Sequence, residues 1–156
     1  MRRRRANLAA PTVDATQERP EFESQSSRVC AQIGSEQIDG TLYSPGDGAR
    51  TFPYHFHHGM EEWLIVVSGT PILRTPDGER TLRPGDAVCF PSGPTGAHKV
   101  TNRTSEPVRV AMVSTKSATA VAVYPDSNKV GVWSGDGDVK MPVRRESAVD
   151  YYDGEV

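Results

Sequence analysis

The chain has 156 residues, enough for one domain with its own hydrophobic core. Its formal net charge of -2 gives no reason to expect a nucleic acid or a membrane surface as partner. No apolar stretch approaches the roughly 20 residues needed to cross a membrane, so the cytoplasm is the expected location.

The first 28 residues are polar and have no hydrophobic period. The basic start, Arg2 to Arg5, resembles the first part of an export signal, but the apolar segment that should follow is short and ends at Pro11. Residues 1–28 are therefore expected to form a flexible, disordered tail or an arm that lies over the surface.

Short β-like segments separated by turn residues fill the middle of the chain. The 14 glycines and 12 prolines favour many turns, and no segment has a helical period over three turns. Asp77-Gly78 is the predicted two-residue turn of one hairpin. The predicted strands are 38–43, 52–57, 62–68, 71–75, 80–82, 87–90, 98–102, 108–114, 121–124 and 130–133.

This spacing of strands predicts an all-β domain, a sandwich or a barrel, over residues 29–143. The remaining residues, 144–156, form a charged tail. Cys89 stands in an apolar run and is expected to be a small buried side chain.

One strand, 62–67, is apolar at both odd and even positions. A strand with one solvated face should alternate instead. Either the N-terminal segment or a second subunit is expected to cover its outer face, and we predict a homodimer.

Three of the four histidines lie within four residues of one another. Residues two apart in a strand point to the same face, so His55 and His57 can both point into a barrel while His58 points away. Imidazole is a common ligand of first-row transition metals. A His-x-His pair alone can also be structural, so further ligands are needed to support a metal site.

Two further residues complete a candidate ligand set. Glu62 is in phase with Leu64 and Val66, and a carboxylate that faces the core needs a cation or a strong hydrogen-bond partner. His98 lies in a separate predicted strand. Three nitrogens and one oxygen would leave positions on an octahedral ion open for water or substrate.

These residues resemble the two motifs of the cupin family. His55, His57, Glu62 and Gly69 have the spacing of the first motif, and the second is matched in order by Gly85, Pro91, Gly93, His98 and Asn102. The sequence departs from the motifs at Ala49, where glycine is expected, and in residues 92–97, which contain two extra residues.

The resemblance implies a jelly-roll barrel, or double-stranded β-helix, over about residues 37–115. It also implies that His55, His57, Glu62 and His98 hold one divalent ion of iron, manganese, zinc, nickel or copper. Many cupins are dimers that exchange N-terminal strands, which agrees with the homodimer predicted above.

Cupins carry out very different reactions, so the fold alone does not define the function. The first hypothesis is a metal-dependent enzyme, such as a dioxygenase, isomerase or lyase, acting on a small oxygen-bearing molecule, with Tyr54, Arg74 and Lys99 as candidate substrate contacts. The second is a barrel that binds a small ligand without turnover. The third is a metal-free barrel that serves for dimerisation.

Overall fold

A computed structural model describes residues 4–135 and 137–156 of the protein. Within these ranges the chain forms thirteen strands, all paired antiparallel, and one short helix, α1 (Val29–Ile33). Three single turns of 3-10 helix lie at Pro94–Gly96, Pro125–Ser127 and Arg145–Ser147. The predicted all-β class is confirmed.

Six strands form the first sheet, in the order β1-β2-β3-β10-β5-β8. Their bounds are β1 (Ala15–Gln17), β2 (Ser24–Ser27), β3 (Ile38–Pro45), β5 (Glu62–Ser68), β8 (Ala87–Phe90) and β10 (Arg109–Thr115).

The other seven strands form the second layer, in the orders β7-β6-β9 and β13-β12-β11-β4. The isolated bridge of His55 with His98 links the segment before β4 to the segment before β9, and a second bridge, of Arg50 with Thr101, ties the loop after β3 to β9. The seven strands of the second layer are β4 (Phe56–His58), β6 (Ile72–Thr75), β7 (Gly78–Thr81), β9 (Lys99–Thr101), β11 (Thr119–Tyr124), β12 (Lys129–Ser134) and β13 (Lys140–Arg144).

The main core lies between the two layers and includes Leu64, Val66, Leu73, Val100 and Val110. Leu64 and Val66 alternate with the more exposed Trp63 and Ile65 along β5, as the period of a strand requires. Each fully buried aliphatic side chain of this kind contributes about 1.5–3 kcal/mol.

Two local predictions need correction. The strand predicted over 52–57 is only Phe56–His58, because Pro53 has no N–H for a ladder and regular pairing begins after His55. The β6–β7 hairpin turns at Pro76-Asp77 rather than Asp77-Gly78, since Thr75 pairs with Gly78. Proline suits the first turn position, and Gly78 adopts a φ of 111° at the start of β7.

The N-terminal segment forms an arm on the first sheet. β1 pairs with β2, and β2 pairs with β3, so residues 15–27 extend the sheet. We call residues 4–28 the N-terminal arm, whereas Arg2 and Arg3 of the basic run lie outside the described residues. At the other end β13 runs through residue 144, beyond the predicted start of the charged tail, and residues 145–156 are exposed.

The outer face of β5 is covered only in part. Ile65 and Val67 pack against a cluster that contains Val29 and Ala6 from the N-terminal part of the chain. Trp63 remains 47% exposed. Cys89 pairs with Trp63 on the edge strand β8 and is exposed, so the prediction that it is buried was wrong.

Candidate metal centre

A backbone bridge brings His55 and His98 side by side. The amide of each residue donates to the carbonyl of the other, at 3.1 Å from His55 and 2.8 Å from His98. Both side chains point into the space between the layers, where they are 7% and 1% exposed. Two histidines that are 43 positions apart in the sequence thus become neighbours in one layer.

Carbonyl groups orient both imidazole rings. The Nδ1 of His55 lies 2.9 Å from the carbonyl oxygen of Pro53, and the Nδ1 of His98 lies 2.9 Å from that of Gly96. A carbonyl can only accept, so in the neutral ring Nδ1 carries the proton and Nε2 keeps its lone pair. This is the usual arrangement of a metal-ligating histidine, whose other ring nitrogen is fixed by a hydrogen bond.

The remaining predicted ligands lie against this pair. The Nε2 of His57 is 3.0 Å from the Nε2 of His55 and 3.5 Å from Glu62 Oε2, which in turn is 3.3 Å from His98 Nε2. The ligand atoms of His55, Glu62 and His98 all lie within 4.8 Å of one another. Ligands that bind one ion at about 2.1 Å are separated by roughly 3 Å, so the spacing suits a single ion.

Several of these atoms are buried and have no hydrogen-bond partner among the described residues. They are Glu62 Oε2, His98 Nε2 and His57 Nδ1. A buried polar atom without a partner costs about 1–3 kcal/mol. A cation between Glu62 and the histidines would satisfy the first two atoms, so the residues fit a metal ion.

The protonation states also suit a cation. Burial, reinforced by the neighbouring His98 and His57, lowers the pKa of His55 to about 3. Burial likewise lowers the pKa of His57. Burial alone would raise the pKa of Glu62, but the adjacent histidines, above all His98, outweigh it, so the pKa is lowered. At neutral pH two imidazoles are ready to bind as neutral ligands beside an ionised carboxylate.

Aromatic rings surround the histidines. Phe90 stacks on His98 with ring centroids 3.9 Å apart, and Phe52 meets His55 and His98 edge-on at 4.9 and 5.3 Å. Tyr124 stacks on His55 at 5.8 Å. Sequence reasoning missed these three residues. Nothing in the sequence alone places Phe90 opposite Glu62 or Tyr124 beside His55, since both neighbours follow from the fold.

The candidate substrate contacts lie together, but on the other face of the layer. Arg74 lies 3.9 Å over the ring of Tyr54, and Lys99 is its partner across the β6–β9 pair. Tyr54 and Lys99 directly adjoin His55 and His98 in sequence, so the pleat points them away from the centre. A ligand bound to an ion at the centre would therefore not reach them, and their role in substrate binding stays a prediction.

His98 lies beside the other predicted ligands, although the second-motif loop has two extra residues. The additional length forms the turn Pro94–Gly96, whose last carbonyl orients the His98 ring. The structure also leaves His58 exposed, on the opposite side of its strand from His57.

Residues 43–114 match the family model described as Cupin_2, the cupin domain. Together with the antiparallel two-layer fold, this match identifies residues 43–114 as a cupin domain. A comparison of the sequence with curated proteins finds no significant match. The described part of the chain holds no helix long and apolar enough to cross a membrane.

Solved structures share this fold over nearly the full chain. A sugar phosphate isomerase from a cupin superfamily of Silicibacter pomeroyi is 24% identical, with a TM-score of 0.80 over 96% of this chain and 98% of the other. A candidate sugar phosphate isomerase from Acidithiobacillus ferrooxidans is 21% identical, with a TM-score of 0.76 over 88% and 86%. The polyketide cyclase RemF of Streptomyces resistomycificus is 20% identical, with a TM-score of 0.58 over 71% and 78%.

Proposed function

We propose that this protein is a metal-dependent cupin enzyme that acts on a small oxygen-bearing metabolite. One divalent ion would be held by His55, His57, Glu62 and His98. The observation that carries the proposal is the pair of buried atoms, Glu62 Oε2 and His98 Nε2, which lie 3.3 Å apart without a hydrogen-bond partner among the described residues.

The surrounding side chains suit such a centre in three ways. Glu62 contributes a negative charge, and the neutral imidazoles of His55 and His57 need lose no proton before they bind. Phe52 and Phe90 cover one side with apolar rings, and such an environment strengthens electrostatic interactions at the centre. A bound ion would supply Lewis acidity or, in the case of iron, activation of oxygen.

The ligand set suits iron, manganese, zinc, nickel and copper alike. The names of the structurally similar proteins support a substrate with several oxygen atoms, since two are described as sugar phosphate isomerases, one of them as a candidate. Isomerisation is therefore the first activity to assay, before dioxygenase and lyase reactions.

A second candidate function is ligand binding without turnover. The described residues that touch the histidine rings include no free base, and this favours the second function. Tyr124 stacks on His55, but burial raises its pKa, so the phenol stays protonated at neutral pH. Turnover would then require the metal-bound groups themselves to transfer protons.

Metal analysis of matched glutamate variants tests the proposal. Glu62→Gln should lose the ion after reconstitution, because the amide offers no charge. Glu61→Gln is the control, since Glu61 is the exposed neighbour that accepts a hydrogen bond from Trp63. The wild type and the control should each hold one ion per chain. Substoichiometric metal in the wild type, or equal metal in both variants, would reject the proposed centre.

Activity assays on the metal-loaded wild type then separate the two functions. Turnover of a sugar phosphate, a keto acid or a catechol, lost in Glu62→Gln, supports the enzyme. A shift in melting temperature with one of these compounds, without turnover of any, supports the binding protein.

A further inference from the structure

A cavity of about 440 Å³ lies between the N-terminal arm and the barrel. Ser26 pairs with Tyr43 in the β2–β3 register, so their side chains share one face and form its floor. The opposite wall comes from residues 51–53, which lead to His55. Arg19 and Phe22, from the turn between β1 and β2, close one end. The volume is within the usual range for small-molecule sites.

The turn that closes the cavity is held in a strained conformation. Glu21 has a φ of 68°, which is uncommon for a residue other than glycine. Arg50 fixes it twice, since its amide donates to the Glu21 carbonyl at 2.8 Å and its guanidinium to the Glu21 carboxylate at 2.7 Å. The same guanidinium lies 5.8 Å from the ring centre of Phe22. Strain that the surroundings enforce in this way is typical of ligand-binding segments.

The lining of the cavity defines the chemistry of an occupant. Among its described lining residues, Arg19 is the only one charged at neutral pH, and it has no ion-pair partner within the described chain. Thr51 is only 8% exposed, and its hydroxyl has no hydrogen-bond partner among the described residues. Hydroxyl groups therefore stand beside one cation and the aromatic rings of Phe22, Tyr43 and Phe52.

Such a lining suits a molecule that carries hydroxyl groups and one anionic group. Hydroxyls of the ligand can exchange hydrogen bonds with the serine and threonine side chains, and its C–H faces can lie against the rings. A carboxylate or phosphate would pair with the guanidinium of Arg19, an interaction stronger than a neutral hydrogen bond.

The cavity is adjacent to the candidate metal centre. Phe52 lines the cavity and also contacts the rings of His55 and His98. Tyr43, on the floor, meets Phe52 edge-on at 5.9 Å. An occupant would therefore be separated from the histidines by a single ring.

We propose that this cavity binds a small hydroxylated organic anion, with Arg19 pairing with its carboxylate or phosphate group. The assignment rests on the arm and on residues 43 and 51–53, so it does not require an ion at the metal centre.

Titration of the isotope-labelled full chain with three compounds tests the proposal by NMR. Glucose 6-phosphate carries a phosphate, gluconate a carboxylate, and glucose no charge. At least one of the two anions should bind and shift amide signals within residues 15–26 and those of Thr51 and Phe52, and glucose should bind about tenfold more weakly or not at all. The Arg19→Gln substitution should weaken binding of the anion by about tenfold or more. Arg83→Gln, on an exposed turn that does not line the cavity, should leave binding unchanged.

A second variant tests the place of binding without removing charge. Ser26→Leu should fill part of the cavity and abolish binding of the anion, while its melting temperature shows that it is folded. The proposal is overturned if neither anion binds, if Arg19→Gln binds as tightly as the wild type, or if the shifted signals lie elsewhere. Metal content is measured on the same samples. Normal metal without anion binding rejects only the cavity, and anion binding without metal rejects only the metal centre.

Discussion

At the scale of single residues, the candidate centre depends on how its imidazole rings are oriented and on the lowered pKa values of His55 and His57. In His55 and His98, Nδ1 forms a hydrogen bond with the carbonyl group two residues earlier in the chain, so Nε2 is left for an ion. Burial prevents His55 from taking up a proton at neutral pH. The same property makes the metal-free protein sensitive to acid.

We predict that the free energy of unfolding of the metal-free protein falls as the pH drops below about 6.5. In the unfolded chain His55 has its ordinary pKa of 6.5, whereas in the folded protein the pKa is about 3. Between these values the unfolded state binds a proton that the folded state does not, so stability declines by up to about 1.4 kcal/mol per pH unit. The lowered pKa of Glu62 acts in the same direction at lower pH.

Urea unfolding at several pH values between 6.5 and 5 measures this slope before most carboxylates titrate. The His58→Gln variant, which removes an exposed histidine three positions from His55, serves as the control. A free energy of unfolding that stays constant over this interval would contradict the prediction.

At the scale of elements, the sequence predicted best the strands whose burial alternates. β5 and β8 have the predicted bounds because apolar side chains fix which face is buried. β1, β2 and β13 were missed, since they are short, polar or exposed, and are held by backbone pairing to a neighbour rather than by their own side chains. Backbone pairing of this kind leaves no pattern in the sequence.

Motif spacing and strand phase both constrain the four predicted ligands, and the fold brings their side chains together. The period of two already places Tyr54 out of phase with His55, which weakened it as a substrate contact, and the fold puts Arg74 and Lys99 with it on the face away from the centre. The Arg74–Asp126 contact at 2.6 Å joins residues 52 positions apart, and no local signal predicts it.

The turn Pro94–Gly96 is the element that places His98, and Gly96 is its critical residue. A Cβ added to Gly96 would lie 1.9 Å from the Pro91 carbonyl oxygen, so the backbone must shift. We predict that Gly96→Ala lowers the free energy of unfolding by about 1–3 kcal/mol. It should also weaken metal binding by at least about tenfold, because a 1 Å displacement of a ligand is enough to spoil its geometry.

Chemical unfolding and metal titration measure the two effects. Gly46→Ala is the matched control, since its Cβ would meet its nearest neighbour at 3.5 Å, an ordinary contact. If both variants bound the ion equally well, the turn would have no part in positioning His98.

At the scale of the whole molecule, the exposed apolar residues of the first sheet support the predicted homodimer. Trp63 is 47% and Ile38 is 41% exposed, and both line one shallow depression with Val113. An exposed apolar patch of this kind is typical of an interface. The outer face of β5 would then be covered by the arm at one end and by a second copy at the other.

We predict that light scattering gives the mass of two chains at micromolar concentration, and that Trp63→Glu gives the mass of one. Ile33→Glu is the control, because Ile33 is comparably exposed but lies on α1, outside this depression. A wild-type mass equal to one chain would contradict the homodimer and leave the metal centre unaffected.

The central claim is most directly tested by an anomalous difference map from crystals of protein reconstituted with a transition metal, recorded at the absorption edge of that metal. A single peak about 2.0–2.2 Å from the Nε2 atoms of His55, His57 and His98 and from a carboxylate oxygen of Glu62 is the expected result. A map without a peak between these side chains, or with the metal bound only elsewhere, would contradict it.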